Sequence, residues 1–349
     1  MPFQITTQPF GPLPTGATPL TEYLLEHTET GEFITVIPEF GAVLRRLVLR
    51  KGKHVFALIE GPDSPQALMA DESYASALLY PFPSRIRHGI YHFEGQDYAL
   101  KMNDTHRDNA MHGFVHGRVF SVISQEATDT HAQLVLRYDY TGDTFGYPFP
   151  FSLTVTYELV QANLLRHGSN PEKDHMCALR ISYEAKNTGV TSSPAAFGWH
   201  PYFRFSEDIE LAKEPIGKML LTLPSRIPIS LDEYMIPNGQ LPAEMAGTIE
   251  LHDQHLDTAF LIEPTSGPTD TESFAETILT SLVTGARLIV GQQTGDGKLN
   301  YLVCYTPTRR DRIAIEPLTA NVDAFNNGQG LAILKPGEAL TGTMWVRLD

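Results

Sequence analysis

The 349 residues carry 41 acidic against 26 basic side chains, a formal net charge of −15, with 42% hydrophobic and 19% charged residues. No run of Lys or Arg interrupts that acidity, which disfavours nucleic acid and anionic membranes, because both need a concentrated basic face. An uncharged small substrate fits, and a purely solubilising role accounts for the charge equally well.

The apolar share is enough for a large core and is inconsistent with a largely disordered chain. The length suits two ordinary domains or one extended all-β unit. The opening Met1-Pro2-Phe3-Gln4-Ile5-Thr6-Thr7 lacks the basic and apolar regions of a signal peptide, and no stretch approaches the roughly 18 apolar residues that span a bilayer. The expected location is therefore cytoplasmic.

In chain order, short runs rich in β-branched and aromatic residues, separated by Gly, Pro, Asn and Asp, predict strands. They fall at Phe33 to Ile37, Ala42 to Leu49, Gln133 to Tyr140, Phe151 to Val160, Leu179 to Ala185, Met219 to Leu223, Thr258 to Ile262, Arg287 to Gly291, Tyr301 to Tyr305 and Leu340 to Leu348. In Leu153-Thr154-Val155-Thr156-Tyr157-Glu158-Leu159 apolar and polar residues alternate, the period of a half-buried strand. Ser64-Pro65-Gln66-Ala67-Leu68-Met69-Ala70 has a Ser cap, Pro at the first helical position and good helix formers, and predicts a short helix.

Ile278 to Val283, Thr284-Gly285 and Ala286 to Val290 read as a hairpin around a short turn. Ser169 to Lys173 is the most loop-like polar stretch, yet composition does not change across it. The prediction is a single all-β domain over residues 1–349, a large antiparallel β-sandwich with few short helices. Cys177 and Cys304 are expected as buried free thiols, with one disulfide as the alternative.

Phe197-Gly198-Trp199-His200-Pro201-Tyr202-Phe203 and Ile313-Ala314-Ile315-Glu316-Pro317-Leu318-Thr319 place His200 and Glu316 at the ends of two strand-like runs, each followed by proline. An imidazole and a carboxyl group ordinarily titrate near about 6.5 and 4.3, so modest tuning lets one act as acid and the other as base. Taken singly, a core histidine bonded to backbone and a glutamate paired with a neighbour such as Arg312 explain them as well.

Pro81 to Phe120 is the richest polar region, with Ser84-Arg85-Ile86-Arg87-His88-Gly89 and Met111-His112-Gly113-Phe114-Val115-His116-Gly117. Arg85 can present a planar fork to sugar hydroxyls or to a carboxylate, or form a structural ion pair. Asp257 can accept hydroxyl hydrogen bonds or cap its strand. His112 with His116, and His252, His255 and Asp257, resemble fragments of metal sites. Gly113 and Gly117 argue against a helical pair and no adjacent glutamate completes a metalloprotease signature, so no metal is assigned. Neither a Gly-rich phosphate loop nor a Gly-x-Ser-x-Gly elbow is present.

Together, Ser84-Arg85-Ile86, Asn109 to Gly113, Gly146-Tyr147-Pro148, His200-Pro201-Tyr202-Phe203, Leu256-Asp257, Glu316-Pro317 and Leu334-Lys335-Pro336-Gly337-Glu338 resemble, in order, the aldose 1-epimerase (galactose mutarotase) family. The resemblance implies a many-stranded β-sandwich, an open sugar cleft, no cofactor and the interconversion of α and β anomers of a free aldose. It implies Glu316 as the base at the C1 hydroxyl and His200 as the acid at the ring oxygen. It also implies that His112 holds the ring oxygen and that Arg85 and Asp257 position hydroxyls.

The family commonly has Asn-Arg where this chain has Ser84-Arg85, and His-Gly-Gly where it has His112-Gly113-Phe114. A lost or water-mediated contact near Arg85 and an apolar cleft face from Phe114 are the expected consequences. Three alternatives stand beside this reading: a glycoside hydrolase using Asp257 and Glu316, a phosphosugar epimerase using Arg85 and Arg87, and a non-catalytic sugar-binding protein with Trp199 and Tyr202 as platforms. The expected assembly is a monomer or weak homodimer acting on a small-molecule aldose.

Overall fold

The computed structural model describes residues 1–12, 19–165, 176–207, 215–263 and 273–349. The polar stretch Ser169 to Lys173 lies outside these described residues. Among the described residues, three large sheets, antiparallel in their strand pairings, and three two-stranded ribbons make up the fold. A six-stranded sheet runs in the order Phe3–Gly11, Leu20–His27, Glu32–Ile37, Val43–Lys51, His54–Glu60 and Ser206–Glu207.

The nine-stranded sheet is centred on Phe151–Gln161, Cys177–Asn187, Ala339–Leu348 and Arg287–Thr294. An eight-stranded sheet takes Pro237–Gln240, Arg226–Leu231, Asp257–Ile262, Tyr301–Tyr305, Ile313–Leu318, Gly198–His200 and Ala77–Leu79 in that order, with Tyr202–Phe203 also paired to Ile313–Leu318.

The alternation expected at Leu153 to Leu159 is observed. Phe151, Leu153, Val155, Tyr157 and Leu159 are buried in a core cluster that extends from Phe3 to Leu348, while Thr154 and Thr156 are half-exposed on the other face. Burying each such side chain contributes about 1.5–3 kcal/mol before conformational entropy is charged against it. The short helix forms at Pro65–Met69, and Ser64 caps it by accepting a hydrogen bond from the Ala67 N–H at 3.3 Å.

The hairpin forms between Ser273–Ser281 and Arg287–Thr294, but its turn is longer than expected. Leu282 and Val283 are exposed turn residues rather than strand, because Ser281 pairs back to Ala286 and Gly285 takes a positive φ of 68°. Both cysteines are free and buried.

Two glycines are dictated by close approach. A Cβ on Gly113, whose φ is +64°, would stand 2.1 Å from the Tyr80 carbonyl oxygen. One on Gly198 would stand 2.4 Å from Leu318 Cδ2, so glycine lets the His200 strand lie against its neighbour. The same Gly113 turn sends Phe114 inward, where its ring lies 5.0 Å from Tyr140 and 5.8 Å from Tyr147. Phe114 is therefore half-buried against the aromatic core and does not line the cleft, contrary to the expected apolar cleft face.

Trp199 is fully buried and packs edge-on to Phe203, which rules it out as an exposed sugar platform. It is on the core side because neighbouring residues in a strand face opposite ways.

Candidate active site

Strand register assembles the site. Val303 lies opposite Glu316, and Asp257 opposite Tyr305. Side chains alternate along a strand, so Asp257, Val303, Tyr305 and Glu316 share one face of the eight-stranded sheet. Leu302, Cys304 and Ile315 point from the other face into the core. Gly198 pairs with Leu318, and His200 follows two residues later on the same face.

Arg85 and His112 come from a separate two-stranded ribbon, Arg85–Arg87 with Asn109–Met111. Just beyond it the His112 N–H donates to the Ser84 carbonyl at 2.8 Å, and the Ser84 N–H donates to His112 Nδ1 at 3.2 Å. Ser84 and His112 both take positive φ, 54° and 65°, a conformation unusual outside glycine.

All five residues singled out from the sequence, Glu316, His200, His112, Arg85 and Asp257, line one cleft of about 300 Å3. His200 Nε2 stands 3.4 Å from Glu316 Oε1, and both side chains are buried. The His112 ring lies edge-on to His200 with centroids 5.2 Å apart. Arg85 donates from Nε to Asp104 Oδ2 at 2.8 Å, which anchors the guanidinium at the cleft wall. Asp257 is exposed at the cleft rim.

The electrostatics are those of charges denied water. Burial pushes the Glu316 carboxyl well above the usual carboxylate range, Asp257 adds to the effect and Arg85 offsets part of it. Burial also holds the His200 imidazole down at about 4; the pull of its own backbone offsets part of this, and Arg312 adds to it. His112 is pushed well below its ordinary value by burial, then by His200 and Arg85.

Because His112 Nδ1 accepts from Ser84, its proton sits on Nε2, which makes that nitrogen a hydrogen-bond donor. Buried His200 Nδ1 has no hydrogen-bond partner among the described residues.

Other expectations are redistributed. Arg312 does not pair with Glu316: its guanidinium lies 4.1 Å over the Tyr202 ring and donates from Nη2 to Ser73 Oγ at 3.1 Å. Arg87 bonds Asp232 and exposed His88 bonds Asp108, away from the cleft. His116 packs at a tilt against Tyr74 in a neighbouring hollow. Among the described residues no group of three or more His, Cys, Asp or Glu side chains is placed to hold a metal ion.

Sequence reading passed over several lining residues: Tyr74, Arg107, Tyr305, and Arg312 in its cleft role. Tyr74 belongs to a loop with no motif, and nothing in its neighbours' identities places it there.

A β-rich chain with an open polar cleft over a buried carboxyl and imidazole defines a small-molecule site. The chain belongs to the aldose 1-epimerase family, whose profile matches residues 23–347. YihR, an uncharacterized protein of Escherichia coli K12, is 23% identical over 313 residues, covering 88% of each chain.

Two solved structures show the same fold. A galactose mutarotase-like protein of Clostridium acetobutylicum superimposes with a TM-score of 0.76 at 16% identity, over 99% of this chain and 98% of that one. The galactose 1-epimerase of Lactobacillus acidophilus NCFM gives 0.74 at 18% identity, over 99% of both chains.

Proposed function

We propose that residues 1–349 act as one cytoplasmic sugar-handling unit that interconverts the α and β anomers of a free hexose, with Glu316 and His200 moving the protons. The observation that carries this is the 3.4 Å approach of a buried carboxyl to a buried imidazole in a cleft also lined by His112, Arg85 and Asp257. Glu316 takes the C1 hydroxyl proton as base while His200 gives a proton to the ring oxygen as acid. The bond from C1 to the ring oxygen breaks, the C1 carbonyl forms, and rotation about the C1–C2 bond precedes reclosure on the other face. Reclosure reverses both transfers.

One proton serves the pair throughout. Ring opening starts from carboxylate and imidazolium and ends with carboxylic acid and neutral imidazole. That uncharged arrangement is the one burial favours in the empty cleft. The His112 Nε2–H is oriented to hold the ring oxygen, and Arg85 and Asp257 to hold hydroxyls. Positioned acid and base groups each supply about 10²- to 10⁴-fold.

A sugar panel followed in a polarimeter from freshly dissolved α-galactose and α-glucose tests the reading. Accelerated approach to anomeric equilibrium supports it. Hydrolysis of an aryl glycoside without acceleration of mutarotation overturns it in favour of a glycosidase, and a strong preference for glucose 6-phosphate over glucose would reassign the substrate class.

A further inference from the structure

We infer that the loop Asp71–Ser76 is a clamp on both cleft imidazoles, with Tyr74 the positioning residue for His112; this rests on the anomer-exchange reading above. The Tyr74 ring meets two imidazoles at a tilt, His112 with centroids 4.8 Å apart and planes at 51°, and His116 at 4.7 Å and 37°. Its hydroxyl accepts a hydrogen bond from Asn103 Nδ2 at 2.8 Å.

The Asn103 side chain also grips the residue that precedes His112. It donates to the Met111 carbonyl at 2.9 Å and accepts from the Met111 N–H at 2.7 Å. One tyrosine therefore packs against the His112 ring and, through one asparagine, shares the support of the backbone that carries it. Ser84 fixes only the Nδ1 edge of that ring, and a ring held at one edge keeps freedom to tilt unless a face is packed.

The same loop reaches His200 by two further routes. The Ser76 N–H donates to the His200 carbonyl at 2.8 Å. Ser73 Oγ accepts from Arg312, which lies over Tyr202, whose ring centroid is 5.0 Å from that of His200. Tyr74 and Ser76 both hold positive φ, 56° and 58°. Two non-glycine residues in the left-handed region within three positions are strained, and such strain persists where surrounding contacts over-determine it. Those contacts are the ones that run to the two histidines.

The test uses the full chain with Tyr74→Phe, Tyr74→Ala and Ser73→Ala, measuring kcat and KM for mutarotation beside the imidazole NMR resonances. A displacement of about 1 Å at a reacting group can cost on the order of 10²-fold in rate. Tyr74→Ala should therefore lower kcat by about 10- to 100-fold with a much smaller change in KM, and should shift the His112 ring signals as the neighbouring ring is lost. Tyr74→Phe, which keeps the ring contact, should restore most of kcat.

A folded Tyr74→Ala variant with wild-type kcat and unmoved His112 signals overturns the inference, as does equal loss in the Phe and Ala variants. If Tyr74→Ala does not fold, Ser73→Ala carries the test: a lowered kcat with shifted His200 signals supports the clamp, and unchanged values of both contradict it. Should the wild-type protein show no mutarotase activity, the functional reading fails, while the NMR comparison still decides whether the loop orients the rings.

Discussion

Two buried glutamates on neighbouring sheets are treated in opposite ways. Glu158, on the nine-stranded sheet, stands in register between Arg180 and Gln133. It accepts from Arg180 Nε at 2.6 Å, from Arg180 Nη2 at 2.8 Å and from Gln133 Nε2 at 3.2 Å. Burial raises its carboxyl, but the Arg180 bonds outweigh that and leave it below the usual range. Glu22 is held down in the same way by Arg45.

Glu316 is as deeply buried, yet among the described residues only the His200 imidazole comes within ion-pair distance of it, and its carboxyl is pushed up. Burial alone does not make a carboxyl reactive; burial without a fixed cation does, because the proton is then retained at a pH where it can be exchanged.

The pH response sharpens that contrast most. If His200 and Glu316 share one proton, activity requires the singly protonated pair. The rate should persist down to about pH 4 and then fall about tenfold per pH unit as the second proton binds and blocks the base. At the alkaline end it should fall only beyond the ordinary carboxylate range, when Glu316 loses the shared proton. The kcat/KM profile, with the His200 resonance titrated beside it, checks this; an imidazole that protonates near the unperturbed value of about 6.5 would break the comparison.

A smaller effect separates the two glutamates by stability. Glu158→Gln removes the paired Arg180–Glu158 bonds and should cost roughly 2 kcal/mol in urea unfolding, less than a fully buried pair because Arg180 is one-third exposed. Mutarotation should be unchanged. Smallest is Phe114→Leu, which should lower stability by about 1 kcal/mol without altering the ranking of sugars, since that ring packs half-buried against the aromatic core rather than lining the cleft.

The long strands were legible because their alternation reports burial of one face directly, as at Leu153 to Leu159. Phe3–Gly11 escapes this reading because Thr and Gln on a mostly exposed edge carry little of that signal, and Leu20–His27 because its buried positions include Glu22 and His27. The candidate residues were legible through ordered motifs. Arg312 was misjudged because nearness in sequence to Glu316 says little about a side chain that instead lies on Tyr202. Phe114 was misjudged because the left-handed turn at Gly113 reverses the direction its neighbours imply. Tyr74 was invisible, since its place depends on two rings and an amide from distant segments.

The most direct measurement is the polarimetric mutarotation of freshly dissolved α-galactose by Glu316→Gln, with folding confirmed by thermal unfolding. Glutamine keeps the shape of the carboxyl but cannot take the C1 proton, so kcat should drop by about 10²- to 10⁴-fold while the fold remains intact. A folded Glu316→Gln protein that turns over α-galactose at the wild-type rate would contradict the account.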